Sequence, residues 1–226
     1  MNILKFFNLS DAYLKNRFIK LWKRLGATTP PLYVYSSLAD SYNEPHRLYH
    51  TLEHVKTCLK ELDQVQHLVI NAEALELATW FHDVIYFPEN NDNEAKSATF
   101  ALEKMAEAGL AKELQTAVEK LILATSHAPL PAYPDAGLIT DIDLAIFGQS
   151  EEVFDQYDDQ IRQEYNFVPF KDFLYGRLTL LQLFLKQPKI YQTKYFFDKY
   201  EEQARLNIKR TTLNLQVQID ILSIFK

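Results

Sequence analysis

Glycine is scarce in this chain, with five in 226 residues, roughly a third of average usage. Sandwiches, barrels and glycine-rich phosphate loops need backbone at positive φ, which glycine adopts most easily. Their scarcity turns the reading toward long helices. Cysteine is scarcer still. Cys58 stands alone, so neither a disulfide nor a thiolate zinc cluster is available. A lone cysteine in a helical stretch reads as a small buried hydrophobe. No run of about 18 apolar residues occurs, and charges and asparagines interrupt every apolar run of the first eighteen positions. That pattern fits neither a signal peptide nor a membrane span, and the expected address is cytoplasmic. Positive charge is not in excess either. With 24 Lys and Arg against 30 Asp and Glu, the net charge is −6, and no nucleic acid polymer is expected as a partner.

What the chain does contain is helical periodicity almost throughout. Leu14, Phe18, Leu21 and Trp22 form one stripe within residues 10–25, closed by Gly26 and the Pro30-Pro31 pair. A second helix is expected from Glu44 to His67, with Pro45 near its start, where a missing N–H is harmless. Others are expected over Asn71–Val84, from a cap at Asp92 or Asn93 to Ala108, and over Ala111–Ser126. A short segment over Asp141–Phe147 precedes three closing helices at Glu151–Tyr165, Phe170–Lys186 and Gln192–Ile219. No repeat or linker divides the chain, so one all-α domain over 1–226 is expected. The long, charged last helix packs on one side or meets a partner, so a homodimer through the C-terminal helices is the expected assembly.

The six histidines are not scattered. His46, His50 and His54 recur at i, i+4 and i+8, one face of the expected second helix. His82-Asp83 interrupts the apolar run Ala78–Tyr86, and Asp141 and Asp143 interrupt the run Leu138–Ile146. Acids and imidazoles in such runs are expensive to bury without partners. A divalent cation resolves all of these, because neutral imidazoles and carboxylates form a mixed N/O site for a borderline or hard metal.

The order His54, His82-Asp83, Asp143 resembles the HD-domain superfamily of metal-dependent phosphohydrolases. The strings Pro45–His54, Trp80–Tyr86 and Asp141–Ile146 are similar to a bacterial branch of predicted HD phosphohydrolases. The similarity continues through Ile161–Tyr165, Gly176-Arg177 and Glu202–Asn207, over about residues 10–210. It implies an HD-type helical bundle with one divalent ion between helices (Mn, Mg, Fe, Ni or Zn), held by His54, His82, Asp83 and Asp143. Asp143 is preferred to Asp141, which then serves as support or as a cap. His50 falls where related helical phosphodiesterases place a general acid, although Thr51 stands where those have Asn.

Hydrolysis of a small phosphorylated metabolite, such as a nucleotide, needs an activated water and a cation against the phosphoryl oxygens. Asp83 is expected to orient the water and Arg47 to be the cationic clamp. Lys96, Arg162, Arg177 and Arg205 are weaker candidates for that clamp. Glu94 and Ser97 either cap the helix after the loop or support a metal-ligating histidine. His127 either ends its helix or touches a second metal or the substrate. The aromatics Tyr191, Tyr195, Phe196, Phe197 and Tyr200 are expected in the core rather than against a base, and Trp80 is expected to pack. Two alternatives stand beside the hydrolase. One is a metal- and nucleotide-binding sensor with little turnover. The other is an HD-type di-iron oxygenase, opposed by the presence of only His127 between Asp83 and Asp143.

Overall fold

The computed structural model describes residues 9–126 and 133–224, and no strand occurs among them. The helices are α1 (Leu9–Arg24), α2 (Pro31–Tyr42), α3 (Leu52–Val65), α4 (Ala72–Phe81), α5 (Asn93–Glu107), α6 (Lys112–Ala124), α7 (Ala136–Asp143), α8 (Glu151–Glu164), α9 (Phe170–Lys186) and α10 (Lys194–Ile224). Short 3-10 turns follow α3 at Gln66–Leu68 and α7 at Leu144–Gly148. Among the described residues no helix is long and apolar enough to cross a membrane.

Two departures from the sequence reading matter for the site. Helix α2 was not anticipated, because the Pro30-Pro31 pair reads as a terminator. Pro31 instead occupies the first turn of α2, where its missing N–H is no loss and its fixed φ is already helical. Val34, Tyr35, Leu38 and Tyr42 then form its buried face. The helix expected from Glu44 does not exist as such. Residues 43–51 are irregular, and α3 begins only at Leu52 behind the Thr51 cap, whose hydroxyl accepts the Glu53 N–H. His46 and His50 therefore lie in a loop, and only His54 is helical.

The core is aromatic at one end. Phe18 stacks on Trp22 with ring centroids 5.4 Å apart and meets Trp80 edge-on at 5.3 Å. Beside this cluster α3 packs on α4 and α7, and α4 on α7, so His54, the residues that follow α4 and Asp143 converge. At the other end α10 packs along α9 and the 144–148 turn. Tyr191, Phe196 and Tyr200 are buried there against one another, as packing rather than ligand contact requires.

Gly148 permits that docking. A Cβ at this position would fall on the Tyr200 side chain, closer than real atoms approach. Gly148→Ala is expected to lower stability by about 1–3 kcal/mol through overpacking, read as a reduced urea midpoint with an unaltered slope.

Candidate metal centre

Three backbone arrangements deliver the candidate ligands. His54 projects from the first turn of α3, His82 and Asp83 follow the last turn of α4, and Asp143 ends α7. His54 Nε2 lies 3.1 Å from His82 Nε2, 3.2 Å from Asp143 Oδ1 and 3.5 Å from Asp83 Oδ2. His82 Nε2 lies 3.1 Å from Asp83 Oδ2 and 3.5 Å from Asp143 Oδ1. Donor atoms bound to one ion at about 2.0–2.2 Å stand about 3.0 Å apart at right angles and about 3.4 Å apart tetrahedrally. The observed separations fall in that range, so the residues fit a shared cation.

Protonation supports the fit. The Thr79 carbonyl accepts from His82 Nδ1 at 3.0 Å, which leaves the Nε2 lone pair of a neutral ring aimed at the cluster. Burial pulls both histidines down, yet both are held well above the usual histidine range. Asp83 and Asp143 outweigh burial at His82, and Cys58, Tyr49 and the same two acids do so at His54. Burial pushes Asp83 and Asp143 up, and the facing imidazoles hold both well below the usual carboxylate range. The pocket is built to stabilise positive charge.

Cys58, read from sequence as a plain hydrophobe, belongs to this group. One turn beyond His54 on α3, its Sγ is 3.7 Å from His54 Nε2. Donor atoms of His54, Cys58, His82 and Asp143 all lie within 4.8 Å of one another, a buried His/Cys/Asp group that can hold a metal ion. The i, i+4 spacing from His54 was the available signal.

His50 sits beside the cluster, its ring centroid 5.9 Å from that of His54. What orients it is Glu164, the last residue of α8. Glu164 Oε2 accepts His50 Nδ1–H at 2.7 Å and the Tyr86 hydroxyl at 3.0 Å. Its Oε1 accepts the backbone N–H groups of Leu48, Tyr49 and His50 at 2.7, 2.8 and 3.0 Å. Burial acts to raise Glu164, but His50 and these amides outweigh it and hold the carboxyl at about 2. Sequence reasoning assigned Glu164 no role. The signal was an acid on the buried face of α8, in register with Phe154, Tyr157 and Ile161.

The remaining expectations divide. Arg47 is no clamp. Its side chain is fully buried over the Tyr42 and Tyr86 rings. It donates to Glu44 Oε2 and to the carbonyls of His50, Asp83 and Val84. Because residues 43–51 are not helical, Arg47 turns inward to satisfy backbone carbonyls. Asp141 is a cap, accepting from Gln192 N, Thr193 N and Thr193 Oγ1 ahead of α10. His46 meets the Tyr86 carbonyl at 2.8 Å and stacks on Phe87. Glu94 lies in the first turn of α5, outside the ligand group, while Ser97 pins Ile85 through both N–H and C=O. His127 lies outside the described residues.

Arg177 is buried on α9 with Nε donating to Asp158 Oδ1 at 2.8 Å. It borders a cavity of about 470 Å³ between α8 and α9, which His50, Tyr86, Tyr157, Tyr165 and Phe173 also line. A smaller cavity of about 160 Å³ reaches Asp143 and shares His50, Tyr157 and Leu180 with the larger one.

Two outcomes follow from these contacts. Arg47→Ala is expected to cost about 3 kcal/mol, since buried carbonyls lose charged donors, measured by chemical denaturation. Glu164 has a folded value below its ordinary 4.5, so its stabilisation is complete above pH 4.5 and is lost as pH falls toward 2. Glu164→Gln is expected to lower Tm at neutral pH and to flatten the Tm profile over that acid limb. An unaltered acid limb would show that Glu164 does not carry it.

Comparison with protein-family models, with curated proteins and with solved structures finds no match to this chain.

Proposed function

We propose that this chain is a metal-dependent phosphohydrolase of the HD type, cleaving a phosphoester or phosphoanhydride of a small phosphorylated metabolite. One observation supports the reading above the others. A cation-seeking group of two histidines and two aspartates lies beside a histidine with one nitrogen committed to a buried carboxylate, and both border a cavity. A helical protein without such chemistry has no use for that arrangement, because each buried charge is costly unless matched.

His54, His82, Asp83 and Asp143 would hold the ion, with Cys58 within reach. A sulfur donor near two imidazoles suits zinc, iron or nickel better than magnesium. When bound, the ion lowers the pKa of a water and polarises a phosphoryl oxygen. The chain's own residues do the rest. Asp83 orients the attacking water and accepts its proton. Glu164 is ionised and can only accept, so His50 Nδ1 must be the donor, and a ring carrying both protons would have Nε2–H free to protonate the leaving oxygen. Thr51 does not orient His50. It caps α3, and Glu164 performs that task.

A binding module without turnover is the second reading, and the engagement of Arg47 favours it, since that cation is not available to a phosphate. Elemental analysis and kinetics separate the two. The purified protein is expected to hold about one transition metal per chain, lost in His82→Ala and Asp83→Ala. With the metal restored, His50→Gln should retain it while kcat on a phosphomonoester falls about 10²–10⁴-fold. Metal retained in His82→Ala would remove the pair from the site. Phosphate binding without turnover in wild type would select the binding module, and two irons per chain would select the oxygenase.

A further inference from the structure

We propose that the cavity between α8 and α9 receives the organic part of the substrate, a planar and largely apolar ring carried by the leaving alcohol. This assignment rests on the phosphohydrolase reading for the phosphate end and on independent observations for the ring end.

The first is the position of the cavity. Its volume of about 470 Å³ is that of small-molecule sites. It shares three lining residues, His50, Tyr157 and Leu180, with the smaller cavity that reaches Asp143. A phosphate on the metal side would therefore direct its ester oxygen past His50, with the alcohol beyond. The second is the lining. Tyr86, Tyr157, Tyr165 and Phe173 line it with aromatic rings, Ile161 and Val168 add aliphatic surface, and Asp172 and Arg177 are the charged residues of its wall. Such walls favour a flat apolar group over a sugar-like or strongly charged one.

The third observation is Gly176. It lies inside α9, where glycine is less favourable than alanine. Among the described residues nothing asks for it. No positive φ requires glycine here, and a Cβ would meet no atom within 4 Å, in contrast to Gly148. Gly176 lines the cavity and is itself exposed, so the space a side chain would take there is open, on the solvent side of the cavity. Beside it, Arg177 is buried and ion-paired, with Nε and Nη2 lying 2.8 and 2.7 Å from Asp158 Oδ1, so the protein already matches its charge.

The reaction then balances without another reagent. The water oxygen bonds to phosphorus as its proton passes to Asp83. The phosphorus–oxygen ester bond breaks with its electron pair on the leaving oxygen, which takes the Nε2 proton of a doubly protonated His50 and leaves a neutral ring with Nδ1–H still on Glu164. The products are inorganic phosphate and the ring-bearing alcohol.

Ethyl phosphate and 2-phenylethyl phosphate have nearly matched leaving oxygens and differ by the ring, so their kcat/KM ratio reads the cavity. On the metal-loaded full chain the phenyl ester is expected to be favoured by about ten- to a hundredfold. That ratio should collapse toward one in Gly176→Phe, which fills the cavity, and in Leu180→Trp, which plugs its junction with the metal side. Binding of 2-phenylethanol, followed by calorimetry, should weaken at least tenfold in the same variants. Thermal melts certify that each is folded, and Leu180→Trp carries the test where Gly176→Phe does not fold. Equal kcat/KM for the two esters, or alcohol binding that neither variant weakens, overturns the assignment. Alcohol binding that both variants abolish, with no turnover of either ester, would overturn the hydrolase reading and retain the cavity as a ring site.

Discussion

The carboxylate of Glu164 organises more of this molecule than any other single group. It is buried, and it accepts five hydrogen bonds from backbone amides, an imidazole and a phenol. A buried acid without donors is strongly unfavourable, and one with five is among the most firmly held groups a protein can make. Through it α8 is tied to residues 48–50, which have no helix to satisfy their amides, and to Tyr86 beyond the His-Asp pair. Loop, helix end and site histidine are fixed by the same two oxygens.

Arg47 works in the opposite sense on the same loop. Where Glu164 takes orphan N–H groups, Arg47 supplies N–H groups to orphan carbonyls at His50, Asp83 and Val84. Irregular backbone buried beside a site must be satisfied by something. Here a carboxylate and a guanidinium do so from opposite sides. Asp83 is thus held by its own backbone carbonyl through Arg47, while its side chain remains committed to the histidines.

How much of this was legible can be argued residue by residue. The all-helical class followed from period and glycine scarcity, and α1, α4 to α6, α8 and α9 lie close to where their apolar stripes put them, whereas α7 begins at Ala136, ahead of the Asp141 expected, and gives way to a 3-10 turn after Asp143. The convergence of His54, His82, Asp83 and Asp143 was read from chain order and a resemblance, and the structure brings those four side chains together. The loop at 43–51 was not legible. His46, His50 and His54 at helical spacing are a persuasive helix signal, and the pattern cannot reveal that distant Glu164 offers residues 48–50 a better acceptor than a helical turn. The misreading of Arg47 followed from that error, since on a helix it would face His50, whereas in a loop it turns inward. Cys58 and Glu164 escaped because each has a bland reading in isolation, one as a small hydrophobe and the other as a helix-end charge. Only three-dimensional neighbours distinguish them.

A functional residue in this fold is therefore recognised less by its type than by what its neighbours leave undone. Arg47, Asp141 and His46 have the chemistry of site residues, and the protein already engages each of them. His50 is half engaged: Glu164 takes Nδ1, and the ring lines both cavities. The buried group that could hold a metal ion is engaged only in the sense that its imidazoles and carboxylates tolerate one another through protons. The same accounting separates Gly148 from Gly176. Gly148 is explained by Tyr200, which occupies the space, whereas Gly176 is exposed and borders the cavity, with no described atom within 4 Å of a Cβ there. Sites of reaction and binding lie where such local accounts do not close within the chain.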